Sequence, residues 1–100
     1  MEFKISGRHI DITPAIRDYA ERKTERLHRY YDRIQGITVV IDQHDRSVEV
    51  EIMVGVEHHA PFIARNANDD VYAGIDDATD KLERQLSDHK KKLRNRKHNV

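Results

Sequence analysis

Closely spaced positive charges are the residues of this sequence whose type and spacing could bind a ligand. The stretch DKLERQLSDHKKKLRNRKH, residues 80–98, has Lys or Arg at eight of its nineteen positions. Residues 69–80 carry five Asp and no Lys or Arg, and the formal net charge of the whole chain is zero. Because clustered cations bind phosphate groups, this separation of charge predicts a partner that carries phosphates.

Catalytic and metal-binding patterns do not occur in the sequence. The absence of cysteine excludes a disulfide and a thiolate metal site. His58 and His59 are adjacent, so they point to opposite sides of a strand, and no HxxxH-type pair occurs. No serine lies in a recognisable nucleophile setting, and there is no glycine-rich phosphate loop. We therefore expect a protein that is not an enzyme and that uses no cofactor, metal or small-molecule substrate.

The length and composition predict a single soluble domain. One hundred residues with 37% hydrophobic and 36% charged side chains can build one modest core. No apolar run approaches the roughly 20 residues that would cross a membrane. The first residues, MEFKISGRH, lack the apolar segment of a secretory signal. We expect a cytoplasmic protein with no membrane partner.

The positive charges are positioned by a first helix that we predict from Pro14 to about Gly36. Thr13 is the predicted N-cap and Pro14 occupies the first helical position. Apolar residues then recur at steps of three and four as far as Ile34, and Gly36 is the predicted C-terminal stop. Before this helix, EFKISGRHI has the alternation of a strand.

Three further strands and a second helix complete the predicted fold. The segments ITVVID, RSVEVEIMVGVE and FIARNAN have strand patterns, and Asp69 or Asp70 is expected to cap a helix over residues 70–95. The order β-α-β-β-β-α predicts an α+β two-layer sandwich, a four-stranded sheet with both helices packed on one face. We expect residues 1–94 to form this single domain. Residues 95–100 are predicted to be a basic tip, either an ordered contact or a frayed, disordered end.

A helical wheel separates the charges of both helices into stripes. Arg22, Arg26, Arg29 and Arg33 form one stripe on the first helix, and Lys81, Arg84, Lys91 and Lys92 lie opposite the apolar side of the second. Two helices side by side would bring these stripes onto one surface. The alternative is a solvated face with i,i+4 ion pairs worth a few tenths of a kcal/mol. That alternative explains Glu25 with Arg29 but not KKK followed by RNRK, where like charges repel.

Two long segments carry a resemblance to a known family. They are ISGRHIDITPAIRDYAERKTERLHRYYDRI and NDDVYAGIDDATDKLERQLSDHKKKL, with I-T-x-A-[IL]-R and D-x-Y-A-x-I-D-x-x-x-D-K-L-x-R-Q-L as their most specific parts. Over about residues 1–94 the chain resembles the bacterial ribosome hibernation promoting factor family, also called ribosome-associated inhibitor or sigma-54 modulation proteins. It is similar to the short form, without the further dimerising domain of long members. Thr24, Asn66 and Gly74 depart from the residues usual in the family.

The resemblance implies a function in translation regulation and the stress response. Members of the family have the β-α-β-β-β-α fold and bind the small ribosomal subunit in the channel used by mRNA and tRNA. They silence idle ribosomes by occlusion, and a companion ribosome-dimerising factor is left open as a partner. The resemblance carries five rRNA contacts onto this sequence, Lys23, Lys81, Arg84, Lys90 and Lys91. The helical wheel adds Arg26, Arg29, Lys92 and Arg94.

Two other classes of function stay open from the residues alone. A β-α-β-β-β-α domain with basic helices is also similar to a double-stranded RNA-binding domain, which reads the shape and phosphates of a duplex. A third class is a protein-interaction module that uses the solvated face of the sheet, where Glu49, Glu51 and Met53 would lie.

Overall fold

The structure is a computed structural model that describes residues 2–98, with the backbone alone described for residues 95–98. In chain order its elements are β1 (Glu2–Arg8), α1 (Pro14–Glu25), a 3₁₀ helix (Arg26–Arg29), β2 (Ile34–His44), β3 (Ser47–Val56), β4 (Phe62–Asn68) and α2 (Val71–His98). The strands form one sheet in the order β1-β2-β3-β4. β1 is parallel to β2, whereas the β2–β3 and β3–β4 pairs are antiparallel.

The core lies between one face of the sheet and the two helices. Alternate residues of the central strands are fully buried, as Val39 and Ile41 are in β2 and Val50, Ile52 and Val54 in β3. The helices cover this face with a second set of buried side chains, namely Ile16, Ala20, Leu27, Ile75, Ala78, Leu82 and Leu86. The predicted α+β two-layer sandwich is therefore confirmed, with both helices on the same face of the sheet.

The predicted extent of the first helix is wrong beyond Glu25. Thr24 is fully buried, and its hydroxyl donates to the carbonyl oxygens of Ala20 at 2.8 Å and Glu21 at 3.3 Å. The chain then tightens into the 3₁₀ helix, where Tyr30 N donates to Leu27 O at 3.0 Å. Side-chain bonds to backbone carbonyls of this kind bend helices, and 3₁₀ turns commonly end them.

Gly36 belongs to β2 and does not cap a helix. The register of β2 against β3 shifts between Ile34 and Gly36, so Ile34 and Ile37 both reach the core although they are three residues apart. Because of this irregularity, two buried residues of a strand have the i, i+3 spacing that is typical of a helix. A Cβ on Gly36 would lie 3.3 Å from Glu2 O, so the glycine allows the start of β1 to approach closely.

α2 begins at a side-chain cap and continues past the core. Asp70 is the capping residue of the two that were predicted, since its Oδ1 accepts from Tyr72 N at 3.2 Å. The helix has 28 residues, about 42 Å at 1.5 Å per residue. Up to Arg94, the last residue whose side chain is described, no residue of α2 after Leu86 is buried, and Leu93, which was predicted to be part of the apolar stripe, is 37% exposed.

The basic tip predicted at residues 95–100 is helical in its backbone as far as His98. Asn99 and Val100 lie outside the described residues. No helix in the described part of the chain is both long and apolar enough to cross a membrane.

Candidate nucleic-acid interface

A groove runs between Tyr30, just after the 3₁₀ helix, and the C-terminal half of α2. One part of it, the basic cavity, has a volume of about 210 Å³ and is lined by Arg29, Tyr30, Ser87, Lys90, Lys91 and Arg94. The adjoining part, the mixed cavity, has a volume of about 500 Å³ and is lined by Tyr30, Asp80, Glu83, Arg84, Ser87, Asp88 and Lys91. Tyr30, Ser87 and Lys91 line both cavities, so the two adjoin.

The basic cavity contains cations without counter-charges. No carboxylate lines it, and its four cations, Arg29, Lys90, Lys91 and Arg94, have no ion-pair partner among the described residues. Like charges held together by a helix repel one another, and an anion that binds between them relieves that repulsion. Of the residues predicted to bind RNA, these four and Arg84 of the mixed cavity are brought together by the fold.

Lys23, also predicted to bind RNA, is held at the contact between α1 and α2. Its Nζ lies 3.3 Å from Asp76 Oδ1 and 5.8 Å from the centroid of the Tyr19 ring. The Tyr19 hydroxyl donates to the same Asp76 oxygen at 2.6 Å. This hydrogen bond, followed by burial and the Asp76 charge, raises the pKa of Tyr19 to about 12. Lys23 therefore has a structural partner in the folded chain.

Arg26, another predicted site residue, lies in the 3₁₀ helix and contacts Glu83 of α2. Its Nη2 is 3.8 Å from Glu83 Oε1, and the side chain of Glu83 is 15% exposed. Glu83 Oε1 is buried and has no hydrogen-bond partner among the described residues. Arg26 thus does not line the mixed cavity itself, but it partly neutralises one of the carboxylates that do.

Lys81 and Lys92 lie on the opposite flank of α2, beside β4. Lys81 Nζ donates to Arg65 O at 2.7 Å, and Gln85 Nε2 donates to Ile63 O at 3.1 Å. Lys92 follows Lys81 by eleven residues, which is close to three full turns, so it continues the same flank. The expected single basic surface is therefore divided. Five of the nine predicted residues line the groove, Lys23 and Arg26 are each held by a carboxylate of α2, and two are on the β4 flank.

An aromatic cluster packs the β4 end of the sheet against α2. The rings of His59 and Phe62 are stacked at 4.7 Å, and His89 lies across them with centroids 4.6 Å from His59 and 5.2 Å from Phe62. Tyr31 also contacts His89 edge-on, with ring centroids 5.4 Å apart. Burial lowers the pKa of His89, and the nearby His59 and Lys92 lower it further. The cluster supports α2 where the helix leaves the core.

Sequence reasoning missed Tyr30 and Ser87 as groove residues. The tyrosines were expected at core positions, but Tyr30 is half-buried and lines both cavities. A sequence signal did exist for Ser87, because Lys90 and Lys91 follow it by three and four residues and so share its helix face. In the described part of the chain, no group of three or more His, Cys, Asp or Glu side chains could hold a metal ion.

The fold and the cationic groove define a small α+β binding protein, and comparison with known proteins gives its family. The chain belongs to the family described as sigma 54 modulation protein / S30EA ribosomal protein, whose sequence model matches residues 3–94. This is a family of binding proteins, not enzymes.

Named relatives agree with this family. The ribosome hibernation promoting factor of Azotobacter vinelandii is 40% identical over 92 residues, which cover 92% of this chain and 85% of the relative. The ribosome hibernation promotion factor of Bacillus subtilis is 38% identical over 100 residues, with coverage of 97% and 52%. This chain therefore spans about half the length of the Bacillus relative. A solved structure of a ribosomal subunit interface protein from Coxiella burnetii superposes with a TM-score of 0.83 at 30% identity, covering 90% of this chain and 98% of that one.

Proposed function

We propose that this protein is a ribosome hibernation factor that binds the small ribosomal subunit in the mRNA and tRNA channel. It silences translation by occlusion, acts in the cytoplasm, and has rRNA as its direct ligand. One observation carries this proposal: Arg29, Lys90, Lys91 and Arg94 surround a cavity that holds no carboxylate. The names of the relatives, ribosome hibernation promoting factors among them, support the same function.

Phosphate binding by these four cations is the expected source of affinity. If each neutralises one phosphate, the logarithm of the binding constant falls against the logarithm of salt concentration with a slope of about −3. Arg84 adds to this contact from the mixed cavity. Lys23 and Arg26 contribute after exchanging their carboxylate partners, and Lys81 and Lys92 contact a second rRNA segment from the β4 flank.

The shape of the molecule supports occlusion, which needs no chemical step. The principal extents are 52 × 23 × 19 Å, and α2 continues past the core as one helix of 28 residues. A body of this size that lies on rRNA phosphates excludes mRNA and tRNA from the same volume. Translation resumes when the protein dissociates.

Sedimentation of ribosomes through a sucrose gradient tests the proposal. The variant Lys90→Glu/Lys91→Glu/Arg94→Glu should lose association with the small subunit and no longer inhibit cell-free translation. Lys4→Glu/Arg8→Glu/Arg46→Glu is the matched control, because it changes the net charge equally. Its three residues are exposed and lie on β1 and in the β2–β3 hairpin, away from the groove. The helical content of the first variant is checked by circular dichroism. If it is unchanged and the variant still associates with ribosomes, the groove is not the binding surface.

Competition separates this function from general duplex binding. A module that reads only A-form shape and phosphates binds any RNA duplex about equally. We expect a large molar excess of a random-sequence RNA duplex to leave the protein on the small subunit. Complete displacement by the duplex at equal nucleotide concentration would favour the double-stranded RNA-binding alternative.

A further inference from the structure

The two edges of the sheet differ in what covers them. Side chains of α2 cover the β4 edge, where Lys81 Nζ donates to Arg65 O at 2.7 Å. Gln85 Nε2 donates to Ile63 O at 3.1 Å on the same edge. At the other edge, among the described residues, β1 pairs with β2 alone, in a register without a shift along the whole strand. An edge strand of this kind is a template for pairing with a further strand.

The exposed side chains of β1 make the strand complementary to itself. They belong to alternate residues, namely Glu2, Lys4, Ser6 and Arg8. In a two-fold dimer, residue i of each copy meets residue j of the other, so two paired β1 strands run antiparallel. When they pair about Ile5, Glu2 of each copy lies opposite Arg8 of the other, and Lys4 lies opposite Ser6. Opposite charges directly across an antiparallel pair stabilise it.

Other two-fold registers place like charges together or leave most of β1 unpaired. Centring the antiparallel pair on Lys4 sets the two lysines against each other, and centring it on Ser6 sets Lys4 against Arg8. Centring it on Phe3 or Gly7 pairs only residues 2–4 or 6–8 of the strand. A slip of one residue turns charged side chains against apolar ones. The charges of β1 therefore favour one register over the rest.

The charges at the two ends of β1 are available to a second copy. Arg8 forms no ion pair with another described residue, because Asp42, its neighbour in the β1–β2 register, is bound by two histidine side chains at 3.0 and 3.1 Å. Glu2 pairs with Lys4 of its own strand at 2.9 Å, and both side chains are about two-thirds exposed, 66% and 69%. Exposed pairs of this kind are weak, so Glu2 can also accept from Arg8 of another copy.

The core-facing side of β1 adds apolar surface to the same edge. Phe3 and Ile5 are only partly buried, and both pack against the core. In the register about Ile5, the two Ile5 side chains lie directly opposite each other. Phe3 lies opposite Gly7, whose helix-facing surface is next to the side chain of Ile12. Pairing therefore covers apolar side chains that the single chain leaves partly exposed.

We propose that β1 is a self-association edge, at which two copies of this protein pair antiparallel about Ile5 and join their four-stranded sheets into one. Backbone hydrogen bonds between the two strands supply affinity, and the Glu2–Arg8 contacts set the register. β1 has seven residues, about 23 Å at 3.3 Å per residue. A contact of this length is small for a protein interface, so the dimer is weak and exchanges with the monomer.

Analytical ultracentrifugation at low salt, over about 1 μM to 1 mM protein, tests the dimer. The wild type should change from monomer to dimer as its concentration rises. Glu2→Arg alone and Arg8→Glu alone should each weaken dimerisation by about tenfold or more, because each sets like charges opposite each other at two places. An equimolar mixture of these two variants should dimerise at least as well as the wild type, since every such contact between the two different chains then joins opposite charges. Glu57→Arg and Arg46→Glu are the matched controls, exposed residues outside β1 that should leave dimerisation unchanged.

A second variant tests the register without reversing a charge. Ser6→Glu places a carboxylate opposite Lys4 at two positions of the dimer, so it should tighten dimerisation. A wild type that stays monomeric at the highest concentration would overturn the proposal, and so would a mixture of the two reversals that does not dimerise or a Ser6→Glu variant that dimerises no better than the wild type.

The self-association edge lies outside the groove, so its test is independent of the proposed function. Loss of the dimer with ribosome association intact would overturn the β1 pairing alone. A protein that dimerises in this way and fails to sediment with ribosomes would contradict the proposed function alone.

Discussion

The Tyr19 hydroxyl and the Asp76 carboxylate are 2.6 Å apart, and they join the middle of α1 to the first turns of α2. Lys23 reaches the same Asp76 oxygen at 3.3 Å, and Tyr72 meets the Tyr19 ring edge-on at 5.0 Å. Because Lys23 is a predicted RNA contact, this small network ties a binding residue to the packing of the two helices. The stability of the contact between α1 and α2 and the availability of Lys23 for RNA are therefore coupled.

Stability should fall at high pH as Tyr19 ionises. The pKa of Tyr19 is raised from 10.0 in the unfolded chain to about 12 in the folded one. Below pH 10 the hydroxyl is protonated in both states, so its contribution to stability is complete. Between pH 10 and 12 the unfolded state loses this proton more readily, so the free energy of unfolding decreases. Urea denaturation from pH 9 to 11.5 should show this decrease in the wild type and a smaller one in Tyr19→Phe. Parallel curves for the two proteins would contradict it.

Acidification should weaken the aromatic cluster through His89. Burial holds the pKa of His89 below 6.5, and His59 and Lys92 act in the same direction. The stabilising effect of the neutral ring is therefore complete above pH 6.5 and is lost as pH falls through the lowered pKa. We expect His89→Phe to lose less stability than the wild type between pH 7.5 and 5 in urea denaturation. A matched control is His28→Phe, which leaves this cluster intact. If the free energy of unfolding falls equally on acidification in the wild type and in His89→Phe, His89 is not responsible.

Gly74→Ala should not stabilise α2, although alanine is favoured by about 1 kcal/mol in a helix interior. A Cβ at this position would lie 2.9 Å from Cγ2 of Val50, a fully buried and β-branched side chain. Overpacking costs about 1–3 kcal/mol, so the single variant should be less stable than the wild type. In a Val50→Ala background the same change should become stabilising. A double-mutant cycle by urea denaturation measures this, and equal effects of Gly74→Ala in both backgrounds would contradict the close contact.

Lys81→Met should lower both stability and RNA affinity by small amounts. An ammonium has three hydrogens, so Lys81 can donate one to Arg65 O and keep the others for a phosphate. The contact is exposed, and its loss should cost less than about 1 kcal/mol. Losing one phosphate contact should reduce the salt slope of ribosome binding by about 1. Gln85→Met is the control, because it removes the corresponding hydrogen bond to Ile63 O without removing a charge. It should lower stability by a similar amount and leave the salt slope of ribosome binding unchanged.

Local patterns in the sequence were enough to predict most of the fold. The alternation from Val48 to Val56 identified β3 and its buried face, and Thr13 with Pro14 located the start of α1, where Thr13 Oγ1 accepts from Ile16 N at 3.2 Å. The end of α1 could not be predicted in this way, because the irregular register near Gly36 gave a strand the spacing of a helix.

The groove depends on packing between distant segments and was only partly predictable. The helical wheel placed Lys81 with Arg84, but the carbonyl oxygens of β4 draw Lys81 to the other flank of α2. Tyr30 meets Lys90 and Arg94 only because the chain turns after the 3₁₀ helix and brings them together. No spacing rule relates residues sixty positions apart, so the cavity and its division into basic and mixed parts required the structure.

The uneven charge of α2 gives this neutral chain a large electric dipole moment. Its aspartates cluster towards the amino end of the helix and its lysines and arginines towards the carboxyl end. Each cluster therefore lies at the helix end whose macrodipole charge has the opposite sign. A polyanion therefore exerts a torque on the whole molecule and turns the basic end forward before contact. Zero net charge leaves little long-range attraction to nucleic acid in general, and screening over about 8 Å at physiological salt shortens it further. Encounters are then selected by orientation and not by overall charge.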